Sequence, residues 1–347
     1  MRTRAALVAL ALAVGPLASG PAGTAATTRP RWDTRVFSLV PRPGYPAYAF
    51  AHPDGRVYAG TYTNPAGDST PSRVLEWSRT GTLLRSWTVP GQDLTTEHGV
   101  QVAASDAHGR LVVLDKSTGR VLRLDRRTGR FTTYARVPRP GIPNYAAWGP
   151  GGALYVTDYA QGVLWKVPPG GGRPRAWLRD QRLDGGEFGT AGLVLAPGHR
   201  SLLVTQQSSM GLGETDPTTG KLYRLPIRAD GRPGALRLLW ESRPGDLPDG
   251  FGVAASGRIY VAAAGLANQI VVLRPDGSEL ERFPQTPGTG DNGSAIPFDT
   301  PSSATFSATH LLVANQSYLG DGSHHAILDV EVGEPGARTF VPDNAGD

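Results

Sequence analysis

Short apolar runs separated by glycine-containing turns follow one another along most of this chain. Each repeat contains a turn, an apolar run, a second apolar run and a further glycine turn. Short runs bounded by such turns are typical of consecutive antiparallel strands. The turn-and-strand copies begin at His52, His108, Gly151, His199, Ser256 and Thr309, and the second runs begin at Val74, Val121, Leu164, Leu222, Ile270 and Ile327.

The spacing of these copies, about 43 to 58 residues, is typical of four-stranded propeller blades. We therefore predict an all-β fold, a six-bladed β-propeller with four-stranded antiparallel blades around a central channel, as one domain over residues 47–347. A pair of β-sandwiches is the alternative, but sandwiches lack such long in-phase repetition. The outermost strand of each blade is expected to end at Trp87, Tyr134, Trp177, Trp240, Phe283 and Phe340.

The N-terminus has the pattern of an export signal. Arg2 and Arg4 precede an apolar run, and residues 19–26 are mostly small. This pattern predicts a secretory signal peptide over residues 1–26 and a secreted protein with no stable membrane anchor after cleavage. Residues 27–46 form a lead-in in which 34–39 is a candidate ring-closing strand. The chain has no cysteine, so no disulfide can support it.

The net charge adds little to the interpretation of function. Lys and Arg exceed Asp and Glu by five, and the basic residues are scattered through the turns. A nucleic-acid partner is not expected without a basic stripe and interleaved aromatic residues. A small-molecule substrate or ligand is the expected partner, and the sequence gives no indication of oligomeric state.

The repeat alignment predicts which side chains meet at the channel, because the first strand of each propeller blade lines it. The letters VAAS occur at Val102 and at Val253, which places His98 opposite Asp249. Counting eight residues back from the turn glycine places Asn144 at the same level. We therefore expect His98, Asn144 and Asp249 on one rim.

These residue types suit a cation-assisted hydrolysis. A carboxylate (Asp249) and an amide oxygen (Asn144) are ligands that Ca²⁺ takes, so a divalent cation, with Ca²⁺ preferred, is the expected cofactor. Such an ion polarises an ester carbonyl and activates bound water, while His98 or Asp249 moves the proton. Alternatively, Asp249 and Asn144 brace turns and His98 is a rim histidine with satisfied hydrogen bonds.

The second strand of each blade returns to the rim where the first began. The polar residues at its end are therefore candidates for substrate binding: Tyr62, Asp158, Gln206 and Asn315. The longest loop beyond these strands, residues 208–220, either shapes a pocket or decorates the surface.

Two segments, PDGFGVAASGRIYVA from Pro248 and NYAAWGPGGALYVTD from Asn144, resemble the family of senescence marker protein, gluconolactonase and luciferin-regenerating enzyme. The resemblance implies a six-bladed propeller that hydrolyses lactones with one divalent cation. In that family the cation is held by Glu in the first blade, Asn in the third and fourth, and Asp in the fifth. Asn144 and Asp249 match. Ala191 stands where the fourth-blade Asn would be, no Glu occurs near Ala47, and Ile142 replaces an arginine that binds substrate.

Three functions follow from these patterns. We favour a secreted gluconolactonase-like hydrolase of a lactone or related ester, with a divalent cation in the channel. The second is a propeller that binds a small molecule, carbohydrate or protein on its rim without catalysis. The third is a streptogramin-lyase-like eliminase on the same scaffold, and the fold alone does not decide among them.

Overall fold

The computed structural model describes residues 29–63, 68–185, 188–208, 219–318 and 320–347. The predicted signal peptide, residues 1–26, and most of the long loop 208–220 lie outside these ranges, so export stays a prediction. None of the helices in the described part of the chain is long and apolar enough to cross a bilayer.

Antiparallel strands account for nearly all regular structure in the described ranges, and they form six four-stranded blades. The pairing of Tyr62 with Gly99 and of Thr63 with His98 joins the first two blades into one eight-stranded sheet. Blade 1 contains β2 (Pro46–Ala51), β3 (Val57–Thr63), β4 (Arg73–Trp77) and β5 (Leu83–Thr88), and blade 2 contains β6 (His98–Ser105), β7 (Leu111–Asp115), β8 (Arg120–Asp125) and β9 (Arg130–Arg136). Blade 3 contains β10 (Pro143–Trp148), β11 (Leu154–Asp158), β12 (Val163–Val167) and β13 (Arg175–Arg179), and blade 4 contains β14 (Thr190–Leu195), β15 (Ser201–Gln206), β16 (Lys221–Pro226) and β17 (Arg237–Glu241). Blade 5 contains β18 (Pro248–Val253), β19 (Ile259–Ala263), β20 (Gln269–Leu273) and β21 (Glu279–Phe283), and blade 6 contains β22 (Pro301–Ser307), β23 (His310–Asn315), β24 (Ala326–Glu331) and β1 (Thr34–Leu39). Short 3₁₀ turns lie at Pro150–Gly152, Gln181–Leu183 and Gly322–His324.

The first strand of each blade is innermost and contacts the first strand of the next blade, including β22 with β2. The predicted six-bladed propeller is therefore confirmed. We call the end where the innermost strands begin the upper rim, and the opposite end the underside. Between blades, large side chains such as Trp77, Trp148 and Tyr260 are almost fully buried, so apolar burial between sheets holds the ring together.

The ring is closed by the N-terminal strand. β1 pairs antiparallel with β24, with Thr34 opposite Val330, and becomes the outermost strand of blade 6. Beside it, Arg29 bonds Asp329 at 2.9 Å. Blade 6, the last blade in the sequence, is therefore completed by a strand from the start of the domain.

The prediction for Phe340 was wrong, because β1 occupies the position of the fourth strand in blade 6. Residues 332–347, which we call the C-terminal strap, instead cross the underside. The Ala337 N–H donates to the Val253 carbonyl at 2.8 Å, and the Phe340 ring lies 4.2 Å from the ring of His199 in blade 4. Further along, the Ala107 N–H in blade 2 donates to the Ala345 carbonyl at 3.1 Å.

An ion pair in blade 5 fixes the segment that leads into β18. Arg282 donates two hydrogen bonds to Asp246, at 2.8 and 2.9 Å, and the two side chains are only 6% and 2% exposed. Asp246 also accepts from the Arg243 N–H, so the turn before β18 is held from two sides.

Replacing Arg282 with Ala is expected to lower the free energy of unfolding by about 3–5 kcal/mol, since the Asp246 carboxylate would stay buried without its cation. The matched control is Arg243→Ala, which removes a guanidinium 61% exposed and is expected to cost less than about 1 kcal/mol. Urea unfolding at pH 7 measures both. Equal losses in the two variants would contradict a structural role for the buried pair.

Candidate functional site

Strand register shows which side chains meet in the channel. In each blade one residue near the start of the innermost strand pairs with the end of the second strand, for example Pro143 with Asp158 and Pro248 with Ala263. The residue after each of these positions lies at one level of the channel. We call this set the channel ring: Ala47, Gln101, Asn144, Ala191, Asp249 and Ser302.

The predicted level is right for Asn144 and Asp249 and wrong for His98. In blade 2, Val100 pairs with Asp115, so Gln101 occupies the ring position. Gln101 Nε2 donates to Asn144 Oδ1 at 3.0 Å, which shows that the two side chains meet. The count of eight residues back from the turn glycine, applied to Gly109, identifies Gln101.

His98 lies three residues earlier on the upper rim and is fully buried. Its Nδ1 is 2.9 Å from the Thr96 carbonyl oxygen, and its Nε2 is 3.1 Å from the Thr70 carbonyl oxygen. Both ring nitrogens thus face the backbone. A neutral imidazole carries one N–H, so it can donate to only one of these carbonyl oxygens at a time. The structure supports the alternative interpretation, in which His98 is a rim histidine held by the backbone.

Asp249 is the ionisable member of the channel ring. Burial raises its pKa to about 8, although the neighbouring Tyr145 hydroxyl and Lys116 ammonium both favour the carboxylate. The residue as a whole is partly exposed, although protein surrounds its carboxyl group. The Tyr145 hydroxyl also donates to the Ser302 carbonyl at 3.1 Å, so two acceptors compete for its proton.

Two aromatic rings flank Lys116, the cation that acts on Asp249. Lys116 Nζ lies 5.4 Å from the ring centre of Tyr62 and 5.3 Å from that of Tyr159, and 2.5 Å from Glu97 Oε1. Cation–π attraction and the ion pair hold the ammonium in place. Burial raises the pKa of Tyr62 and of Tyr159 well above the ordinary value, so both hydroxyls stay protonated.

Sequence reasoning missed Lys116, Tyr145 and Tyr159. Tyr145 and Tyr159 each follow a residue that was singled out, Asn144 and Asp158, and Lys116 follows the last residue of β7. Their importance depends on which way the loops turn, and the repeat pattern carries no signal for that.

Of the four predicted substrate-binding residues, Tyr62 lies beside Asp249 and Lys116. Asp158 instead accepts hydrogen bonds from the Ile142 N–H and the Trp165 indole, at 3.0 and 2.7 Å, and is fully buried. These contacts make Asp158 a brace within blade 3 and correct its predicted role.

The other two side chains are also bound to the protein backbone. Asn315 accepts from the Asp299 N–H at 2.8 Å and donates to the carbonyls of Pro297 and His324 at 3.0 Å each. Gln206 Nε2 donates to the Asp184 carbonyl at 2.9 Å, while its Oε1 has no partner among the described residues. The backbone therefore occupies the Asn315 amide, whereas Gln206 keeps one buried acceptor, Oε1, without a partner among the described residues.

The described residues do not fit the predicted Ca²⁺ site. Ca²⁺ takes six to eight oxygen ligands, several of them carboxylates. No cluster of three or more His, Cys, Asp or Glu side chains suited to a metal occurs in the described ranges. Asn144 Oδ1 already accepts from Gln101, two ring positions are alanine, and the Lys116 ammonium lies close enough to act on Asp249. The ring is therefore better suited to proton transfer than to holding a divalent cation.

Replacing Asp249 with Asn is expected to change how stability depends on pH. The folded state retains a proton that an unfolded aspartate, with an ordinary pKa of 3.8, releases. The stability that this proton contributes is complete below pH about 4 and is lost as the pH rises toward 8. The unfolding free energy of Asp249→Asn relative to wild type should therefore rise between pH 5 and 8, by at most about 1.4 kcal/mol per pH unit, and level off above.

Urea titrations across that range measure the difference. The control is Asp276→Asn in an exposed turn, where the hydrogen bond from the Ser278 N–H lowers the carboxyl pKa. The unfolding free energy of Asp276→Asn relative to wild type should not rise between pH 5 and 8. A flat difference for Asp249→Asn would show that the carboxyl is already ionised in the folded protein at pH 5.

Comparison with known proteins identifies the fold. No protein-family model and no curated protein sequence matches the chain. Among solved structures, a gluconolactonase from Xanthomonas campestris matches with a TM-score of 0.58 and 18% identity, over 87% of this chain and 88% of that one. Regucalcin from Agrobacterium tumefaciens, described as a calcium-binding protein, matches with a TM-score of 0.58 and 15% identity, over 88% and 98%. Virginiamycin B lyase from Staphylococcus aureus matches with a TM-score of 0.54 and 13% identity, over 82% of each chain.

At these identities the likeness concerns the fold, and the resemblance to gluconolactonase propellers is confirmed at that level. The three matched proteins have different described roles, so the comparison does not choose among lactone hydrolysis, calcium binding and lyase chemistry. The chain is a six-bladed β-propeller with the architecture that the gluconolactonase, regucalcin and virginiamycin B lyase structures share.

Proposed function

We propose that the channel ring is an acid–base site that hydrolyses a lactone or a related ester, with Asp249 as the group that transfers the proton. The observation that carries this proposal is a carboxyl group on the channel ring, in a partly exposed residue, whose pKa burial raises to about 8. A carboxyl group with so high a pKa is a strong base once ionised, and such perturbed groups concentrate at functional sites.

The chemistry assigns each neighbour a role. The Asp249 carboxylate takes a proton from a water molecule while the water oxygen adds to the ester carbonyl carbon. When the ring C–O bond breaks, the alkoxide leaving group takes that proton back from Asp249. The Lys116 ammonium supplies positive potential for the negative charge that develops on the carbonyl oxygen.

Two further side chains are suited to holding the substrate. Gln101 Oε1 is buried and has no hydrogen-bond partner among the described residues, so it can accept from a substrate hydroxyl. The partly exposed ring of Tyr159 gives the upper rim an apolar surface against which a substrate ring can pack, whereas the Tyr62 ring is buried between Gly99 and Lys116. His98 takes no part in this scheme, because both its nitrogens face backbone carbonyls.

Ligand binding without catalysis is the second candidate, and the channel ring itself favours it. Ala47 and Ala191 occupy two of its six positions and bring no polar group. Lys116 is paired with Glu97, so the rim near Asp249 is close to neutral when Asp249 is protonated. An eliminase is less well supported, because the histidine on which it depended faces the backbone.

Wild-type protein is expected to hydrolyse members of a lactone panel with a kcat/KM that rises with pH, because the base must lose its proton, and the apparent pKa should lie near 8. Asp249→Asn should lower kcat/KM by about 10²–10⁴-fold, the usual contribution of a general base. Asp276→Asn, at an exposed turn, is the matched control and should keep wild-type turnover. A pH-independent rate, or full activity in Asp249→Asn, would remove Asp249 from the mechanism.

The predicted cation can be tested separately from turnover. A ligand that binds the native state raises the melting temperature by mass action. Because the ring offers one carboxylate, and Lys116 lies close enough to favour its ionised form, millimolar Ca²⁺, Mg²⁺, Mn²⁺ and Zn²⁺ should leave the melting temperature unchanged relative to protein in EDTA. A rise with one of these ions that disappears in Asp249→Asn would restore the cation-assisted mechanism.

A further inference from the structure

A cavity lies on the underside, away from the channel ring. It has a volume of about 830 Å³ and is bounded by blades 1 and 6 and by the C-terminal strap. Ligand sites in proteins typically have volumes of about 300–1,000 Å³. We call this cavity the underside groove.

The walls of the underside groove are amphipathic. Apolar side chains from β1, β22 and the strap form much of the surface: Phe37, Phe306, Phe340 and Val341. The guanidinium groups of Arg79 and Arg338 line the same space. A ligand in it would therefore meet both apolar surface and positive charge.

The two arginines have unused hydrogen-bonding capacity. Within the described part of the chain, neither Arg79 nor Arg338 forms a salt bridge or a side-chain hydrogen bond. The guanidinium of Arg79 lies over Gly55, where an added Cβ would be only 2.6 Å from Arg79 Nε and the backbone has a φ of +85°. Position 55 thus leaves room for the guanidinium against the wall of the groove.

The acidic residue that lines the groove is already neutralised. Asp329 Oδ1 lies 2.9 Å from Arg29 Nη1 and 3.0 Å from His310 Nδ1. The lining therefore carries excess positive charge at Arg79 and Arg338. An anion with an apolar body matches this combination of charge and surface.

We propose that the underside groove binds a small amphipathic organic anion, a carboxylate or sulfonate attached to an aromatic or aliphatic body. The acid group pairs with Arg79 and Arg338, and the body packs on Phe37, Phe306 and Phe340. Strap residues 338–340 also line a second cavity of about 110 Å³ in the channel, and Asp249 lines neither cavity. The proposal is independent of the chemistry at Asp249.

The probe for this site is 8-anilinonaphthalene-1-sulfonate, whose fluorescence rises in apolar surroundings. Titration of the folded protein should give saturable binding of one probe per chain, confirmed by calorimetry. Decanoate should displace the probe, and added NaCl should weaken its binding, because screening reduces the attraction to the arginines. Asp249→Asn should bind the probe like wild type, which distinguishes this groove from the channel ring.

Arg79→Gln and Arg338→Gln should each weaken binding by about tenfold, since each removes a charged hydrogen-bond donor. Arg338→Lys, which keeps the charge, should recover part of the loss. Arg232→Gln is the matched control, because Arg232 lies in the corresponding turn of blade 4 and is 80% exposed. Circular dichroism spectra that match wild type would establish that each variant is folded. Probe affinity that is equal in wild type, Arg79→Gln and Arg338→Gln, or binding that does not saturate, would overturn the proposal.

Discussion

The pairing of β1 with β24 is the constraint on which the rest of the molecule depends. Each innermost strand is positioned by its neighbours on both sides, so the channel has a defined shape only when the circle is complete. With no cysteine in the chain, backbone hydrogen bonds, the Arg29–Asp329 ion pair and packing must hold the two ends together. Gln101, Asn144 and Asp249 are far apart in sequence, and closure is what brings them to one level.

The channel ring combines groups that are unfavourable to bury. A carboxyl at Asp249 and an unpartnered amide oxygen at Gln101 both lower stability relative to apolar side chains of similar size. The ion pairs elsewhere in the blades are better satisfied, as the bidentate contact of Arg282 with Asp246 shows. Incompletely satisfied polar groups in the channel ring and well-paired charges in the blades are the pattern expected when stability is given up at a functional site.

The number of blades and most strands were predictable because each blade repeats the same turn chemistry. Gly257, with a φ of +85°, shows why: the tight turn needs a residue that tolerates a left-handed backbone. The same periodic turns located Asn144 and Asp249. His98 was misplaced because VAAS occurs in blades 2 and 5 at different distances from the turn glycine, Gly109 in one and Gly257 in the other. The same four residues therefore occupy different positions in the strand register of blades 2 and 5.

The roles of individual polar side chains were harder to predict than their positions. Asp158 and Asn315 end second strands as expected, but their oxygens accept backbone N–H groups. Local sequence does not decide between a backbone partner and a ligand. Phe340 was placed in a strand because it follows a glycine turn, yet the competing segment, β1, comes from about 300 residues earlier in the chain. Pairing between strands so far apart in the sequence cannot be recognised from the local sequence.

The position of the C-terminal strap affects how molecules reach the central channel. Its residues 337–340 lie against the lower ends of the innermost strands and line the cavity at that end of the channel. Movement of the strap would therefore change access to the channel from the underside without touching the Asp249 end.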